Sequence, residues 1–322
     1  MKKKNNKAIA LIAVFALLAI LIAVYVLVLP KMQPEEEEQV TETRIPLADF
    51  KTADMRSITY SYEGEEEIAL LYDSRSSTWY AAHDRDFPIK QEHTTAMAEV
   101  AAVISATRSF ESGEITDSDG GFENPALKLS VTYASGAEFK YSVGAFNPFN
   151  GSYYFRIEGD ERTYMIPAGL TAKFNYVLYE LVQYDTIPVM PEEAISSYDV
   201  VQSMLTKTVT DKELIAEIPY LYFTNCIDFK PDGEALDNYG LGGSATTIVV
   251  HYSETKTVTN EEGSLSPTTS VTVNYDITFR VGALCETDDT LRYVMYEDSP
   301  LVYLMRTDSF DLLIKAEETV LQ

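Results

Sequence analysis

Two cysteines, three histidines and one tryptophan among 322 residues leave little material for the commoner local reaction centres. His83, His93 and His251 show neither HxxxH nor HExxH spacing, so no locally built zinc site is expected. No GxxxxGK[ST] loop, no GxGxxG ahead of a helix and no GxSxG elbow occurs, which removes the usual signals for nucleotide binding and for a hydrolase serine. Asp117, Asp119 and Glu123 resemble the start of a calcium loop. However, the sixth and twelfth positions counted from Asp117 are Phe122 and Lys128, where an EF-hand needs glycine and glutamate. Asp232, Glu234 and Asp237 form a similar acidic loop, and solvated acidic loops are the expectation for both. Cofactors, metals and catalytic residues are therefore not expected.

Basic charge is also scarce. The chain has 25 lysines and arginines against 50 acidic residues, a net −25. Four of the basic residues and none of the acidic ones precede Pro30, leaving 21 against 50, or −29, for the remainder. Such a body repels phosphate backbones and anionic lipid surfaces, which argues against nucleic acid as a partner.

Long apolar runs are absent except at the start. Lys2, Lys3, Lys4 and Lys7 precede an uncharged apolar stretch over residues 8–29. As a helix it would span about 33 Å, against about 30 Å for a hydrocarbon core. No small-residue cleavage site follows, and no cysteine that could carry a lipid. The stretch reads as an uncleaved signal anchor lying in the lipid bilayer. The alternative, a buried core helix, fits poorly with its length and basic flank. Residues 1–29 are thus a basic tip and a transmembrane anchor; the positive-inside rule keeps the lysine cluster cytoplasmic and puts the rest beyond the cell membrane, as a single-pass protein. Residues 30–47, with four consecutive glutamates and three prolines, form an acidic stalk. Outside the cytoplasm a disulfide between Cys226 and Cys285 is permitted; otherwise both are small buried hydrophobes.

What the chain does have is alternation and tyrosine, 22 of them, both of which favour strands. Alternating runs over 57–63 and 67–73 flank Gly64-Glu65 as a hairpin. Others lie at 127–133 with 138–144 and at 153–159 with 162–167. Residues 91–106 and 168–182 carry apolar positions at helical spacing, with Thr94 or Thr95 as a cap for the first.

FKYSVGA at 139–145 returns as ITFRVGA at 277–283, with Gly144 and Gly282 closing the two runs 138 positions apart. LKLSVTY at 127–133 matches TTIVVHY at 246–252. Allowing one inserted residue, Tyr154 and Tyr164 match Tyr293 and Tyr303. Phase-matched strands indicate a duplicated module. Residues 253–270 lengthen one hairpin connection of the second copy, which costs little stability at a surface. A glycine after the valine lets the strand bend or lets another backbone approach closely. The second copy shows no clear opening hairpin between Met190 and Ile218.

These features together resemble the family called domain of unknown function 4340. They are a membrane-anchor start, a strand bearing Trp79, and Phe87-Pro88-Ile89 before a helix. Tyr239-Gly240-Leu241 and Phe122-Glu123-Asn124-Pro125 enter hairpins. Val143-Gly144 and Val281-Gly282 end strands, and the strands at 153–157 and 163–166 follow. The resemblance covers residues 55–315, and the second copy departs from it in lacking a tryptophan. It implies an exported, membrane-tethered protein associated with ABC transporters or gliding-motility accessory proteins, with no catalytic residues to carry over.

The expected architecture is α+β. An N-terminal transmembrane helix precedes two tandem modules of mainly antiparallel β-sheet with flanking helices, at residues 48–190 and 191–322. The expected function is non-enzymatic binding or assembly beside an envelope protein, with an ABC-transporter subunit as the candidate partner. An enzyme acting on cell-wall material or glycan is the alternative. Phe146 and Phe149, flanking Pro148 in a loop, are the candidate partner contacts. Cys285 with His251 is the one conceivable nucleophile pair, and it lacks an orienting third group.

Overall fold

The computed structural model describes residues 44–259 and 268–315. The anchor and stalk over 1–47 fall almost wholly outside them. Among the described residues no helix is long and apolar enough to cross a membrane.

From Pro46 onward the chain forms one compact unit of mostly antiparallel strand with few helices. A short β1 (Ile45–Asp49) leads into β2 (Met55–Tyr62), β3 (Ile68–Asp73) and β4 (Thr78–Ala81). Helix α1 (Gln91–Ala102) follows, then β5 (Val103–Ala106), which pairs with β1, and β6 (Arg108–Phe110). A one-turn helix α2 (Asp117–Gly120) precedes β7 (Leu127–Tyr133), β8 (Glu138–Asn147), β9 (Ser152–Ile157) and β10 (Thr163–Pro167). The second half runs β11 (Ile195–Gln202), β12 (Leu205–Val209), α3 (Lys212–Ile215), β13 (Asn225–Phe229) and α4 (Gly233–Asn238). It closes with β14 (Thr246–Thr259), β15 (Thr268–Leu284), β16 (Leu291–Tyr296), β17 (Leu301–Arg306) and α5 (Thr307–Lys315).

The two sheets have the same winding. The first is ordered β4-β3-β2-β7-β8-β9-β10-β6 and the second β12-β11-β14-β15-β16-β17-β13. Matched strand by strand in chain order, the two differ only by β4, which has no counterpart. The irregularities repeat as well. The pairing of β2 slips between Met55 and Ser57, and that of β11 between Ile195 and Ser197. Strand β8 bulges between Val143 and Phe146, and β15 between Val281 and Leu284.

Each later bulge contains the repeated Gly-Ala pair, and a helical turn docks on it. In the first half Thr116 caps α2 by accepting from the Asp119 amide, and Gly121 ends it at φ 71°. In the second, Asp232 caps α4 by accepting from the Ala235 amide, and Gly240 follows at φ 65°. Both turns close alike. The Phe122 amide donates to the Asp117 carbonyl and the Leu241 amide to the Leu236 carbonyl, each at 2.8 Å. A Cβ on Gly144 would collide with the Gly120 carbonyl, and one on Gly282 with the Tyr239 carbonyl. A Cβ on Gly121 or Gly240 would lie 2.7 Å from the amide nitrogen of Ala145 or Ala283. Backbone thus packs on backbone, and glycine is required on both sides.

Four expectations need correction. Residues 168–182 hold only two short 3-10 turns, at Thr171–Lys173 and Leu178–Leu181. The Tyr60 hydroxyl donates to the Tyr176 carbonyl at 3.0 Å, and Phe174 packs edge-on against Tyr60, so the apolar positions serve as separate anchors. Helix α1 stops at Ala102 and starts without a threonine cap; Thr94 is buried inside it, while Gln91 is bound to the Trp79 backbone at both ends of its amide. The second copy does have its opening hairpin, β11-β12, turned through Ser203 and Met204. Of the segment 253–270, the described residues 253–259 and 268–270 do more than lengthen a connection, because they extend β14 and β15 as a paired ribbon from Ser253↔Asn274 to Thr259↔Thr268.

Gly144→Ala should destabilise the chain by about 1–3 kcal/mol, read as a lower urea midpoint at unchanged slope. Gly282→Ala should do the same. Gly169→Ala, where a Cβ meets nothing within 4 Å, should stay within about 0.5 kcal/mol. Equal effects at all three positions would contradict the docking account.

Candidate functional site

The β8–β9 tip follows directly from the first bulge. Asn147 accepts from the Phe149 amide at 3.0 Å, and Asn150 from the Ser152 amide at 3.3 Å. The Gly151 amide returns to the Asn147 carbonyl at 3.0 Å. These bonds hold the turn without any help from Phe149, whose side chain is 99% exposed. Phe146 is 48% exposed and rests on Tyr153, ring centroids 5.0 Å apart. Phe146 and Tyr153 also line a groove of about 520 Å³, which continues past Glu123, Pro125 and Lys128. The structure therefore places both candidate contact residues at one solvent-facing tip. In the second copy Leu284 occupies the position of Phe146 and is 44% exposed.

A second concavity, of about 920 Å³, lies where the two halves meet. Glu65, Glu66, Glu67, His83, Asp84, Tyr179, Phe229 and Lys230 are among its lining residues. Phe87 packs edge-on against Phe229 at 5.2 Å and tilted against Tyr179 at 5.9 Å. Lys230 reaches Asp84 at 2.8 Å and Asp86 at 3.1 Å. The hydrogen bond from Lys230 holds the Asp84 carboxyl below the usual carboxylate range, so it stays ionised rather than poised as an acid. Deeper in the junction the Tyr303 hydroxyl donates to Asp185 at 2.8 Å, and Tyr239 donates to Asp228 at 2.9 Å. Burial raises the Tyr303 phenol, and burial with the Asp228 bond pushes Tyr239 up to about 12. These phenols are fixed donors at neutral pH. Sequence reasoning missed this junction, because its members are scattered from Glu65 to Tyr303 without a local pattern.

The other residues singled out from the sequence are dispersed. Cys226 and Cys285 are free and buried. The strands β16 and β17 separate β13 from β15, so their Cα atoms stand roughly 14 Å apart at about 4.8 Å per strand, beyond the about 7 Å limit for a bridge. Burial pushes the Cys226 thiol up to about 12. Burial also opposes ionisation of Cys285, but hydrogen bonds from Thr287 and Tyr293 outweigh it and bring that thiol below its usual value. No base serves it. His251 pairs with Asp276, nine residues before Cys285, about 30 Å away along the strand. The His251 ring is instead held between Asp276 at 2.7 Å and Asp199 at 3.3 Å. The nucleophile pair is thus not assembled.

The acidic loops are likewise engaged. Asp117 pairs with Arg156 at 2.5 Å, Asp119 accepts from the Thr116 hydroxyl, and Asp232 caps α4. Among the described residues no group of three or more His, Cys, Asp or Glu could hold a metal ion. No family model, curated protein or solved structure matches the chain.

The Asp276 bond raises the His251 pKa, burial opposes it, and the Asp199 bond adds to the rise. A raised folded-state value stabilises the fold in acid and loses that effect in base. The stability gap between the chain and His251→Gln should be fully open below about pH 6.5 and close as the pH climbs through the raised value. Urea midpoints across that range measure it, and a gap that widens with pH contradicts the assignment.

Proposed function

We propose that the chain is a membrane-anchored, extracytoplasmic binding or assembly protein without catalytic activity, held by residues 8–29 and contacting a membrane or envelope protein. An ABC-transporter subunit is the partner we put forward. The reading includes kinship with the domain of unknown function 4340 family and a tandem pair of α+β modules behind a transmembrane helix. The shared winding of the two sheets supports the tandem pair. The observation that carries the binding role is Phe149, fully in solvent on a turn pinned by its neighbours, with Phe146 beside it on Tyr153. An exposed aromatic on a rigid turn costs little entropy to bury, which suits an interface anchor.

A photo-crosslinking residue at position 149 of the full chain, in its native membranes, should give a discrete adduct with an integral membrane protein. Phe146→Ala should lower the adduct yield about tenfold while leaving the urea midpoint unchanged. Purified chain that turns over wall fragments would replace this reading with the enzymatic one, and position 149 without any adduct would remove the contact assignment.

A further inference from the structure

The second copy carries a structure that the first lacks. Strands β14 and β15 pair without a register break from Thr246↔Val281 to Thr259↔Thr268. Their neighbours end far short of that. Strand β11 reaches only Tyr252, and β16 only Phe279. Beyond those points the pair continues as a two-stranded ribbon. One face holds Tyr252 stacked on Tyr275 at 5.4 Å, then Val273, Val271 and Val258, the last two 44% and 49% exposed.

The two edges of the ribbon differ. Strand β14 carries Glu254 and Lys256, 3.5 Å apart on the face of the valines, with Lys256 donating to the Tyr275 hydroxyl across the ribbon. The β15 edge over residues 268–275, TTSVTVNY, has no charge, no proline and no bulge. Natural sheets protect long edges with such features. The direction of its hydrogen-bonding groups can be read at the root. The Glu297 amide donates to the Thr278 carbonyl at 2.8 Å, and the Thr278 amide donates to the Glu297 carboxylate at 2.6 Å. Both backbone groups of Thr278 therefore face away from β14. Strand alternation turns those of Asp276, Asn274, Thr272, Ser270 and Thr268 the same way. Among the described residues no strand lies beyond them.

We infer that this edge pairs antiparallel with the same edge of a second copy of the chain, about a two-fold axis at Thr272. A self-complementary register selects a second copy over a foreign strand. Val271-Thr272-Val273 reads the same in both directions, so Thr272 of each copy falls opposite Thr272 of the other, Val271 opposite Val273, Ser270 opposite Asn274 and Tyr275 opposite Thr269. Two chains of net −25 repel overall, and this uncharged edge brings no carboxylates into opposition between residues 269 and 275. In this register Thr268 of each copy falls opposite Asp276 of the other, ahead of the Thr278–Glu297 bonds at the root.

Single-cysteine variants of the full-length chain in detergent test the register, because the native thiols are buried. Under mild oxidation Thr272→Cys should form a covalent dimer with itself. Ser270→Cys should form no covalent dimer alone and cross-link only when mixed with Asn274→Cys. Sedimentation of the unmodified protein should give twice 36.1 kDa, and Thr272→Pro, which removes an outward amide, should return it to one. A protein that sediments as a monomer at every concentration, or equal cross-linking by Thr272→Cys and Ser270→Cys, would overturn the inference.

Discussion

The fold hangs on a contact between two stretches of main chain, made twice. At Gly144 and again at Gly282 a strand gives up its side chain and takes an extra residue, and a helical turn lays its carbonyl into the gap. The contact couples the turn to the sheet without any side chain as intermediary. A side chain can be exchanged for one of similar volume, but no residue other than glycine makes this room. The rest of the turn follows from it. The threonine or aspartate cap starts the helix, the left-handed glycine ends it, and Phe122 or Leu241 folds back on the sheet.

That constraint explains which parts of the fold were legible in the sequence. Val-Gly-Ala at both strand ends marks the backbone contact, and the alternation around it gives the central strands. The hidden parts each have a physical cause. The slip at Ile195 and Ser197 puts the buried Ile195 and Tyr198 three apart, which breaks the period of two that identifies a strand. The turn after that strand uses Ser203 at φ 55° where Asn or Gly is the usual signal, so the hairpin carried no mark. Residues 168–182 erred in the other direction. Their apolar spacing is helical, but Phe174 and Tyr176 are claimed by Tyr60, and tertiary contacts override a local period. The ribbon read as a loop because serine, threonine and glutamate mark turns and exposed strands equally well. Of the candidate site, the tip was visible because Phe146 and Phe149 flank a proline in a polar loop. The junction between the halves was not, since its members meet only after both sheets have formed.

Beneath the shared backbone contact the two halves differ. In the first, Arg156 lies over the Phe122 ring at 4.0 Å and binds Asp117 and the Ile115 carbonyl. In the second the aligned residue is Met295, packed with Leu241, Tyr293 and Leu304. One copy anchors its turn with charge and the other with apolar packing. Because the main-chain contact sets the position of the turn, the side chains below were free to change chemistry without moving it.

The same freedom accounts for the unlike outer ends. Each bulge leads to an exposed apolar residue, Phe146 in one copy and Leu284 in the other. Only the first continues into a tip with a second aromatic, whereas only the second has lengthened the preceding hairpin into a ribbon. A single sheet must satisfy its own core before it can present anything to a partner. Two coupled sheets can divide that work, each keeping the docked turn and using a different hairpin as its outward surface. Their junction then has to be stiff, so that two surfaces on one body keep a fixed relation. Phe87 against Phe229, Lys230 on Asp84 and the Tyr303 phenol held as a donor to Asp185 provide such contacts across it.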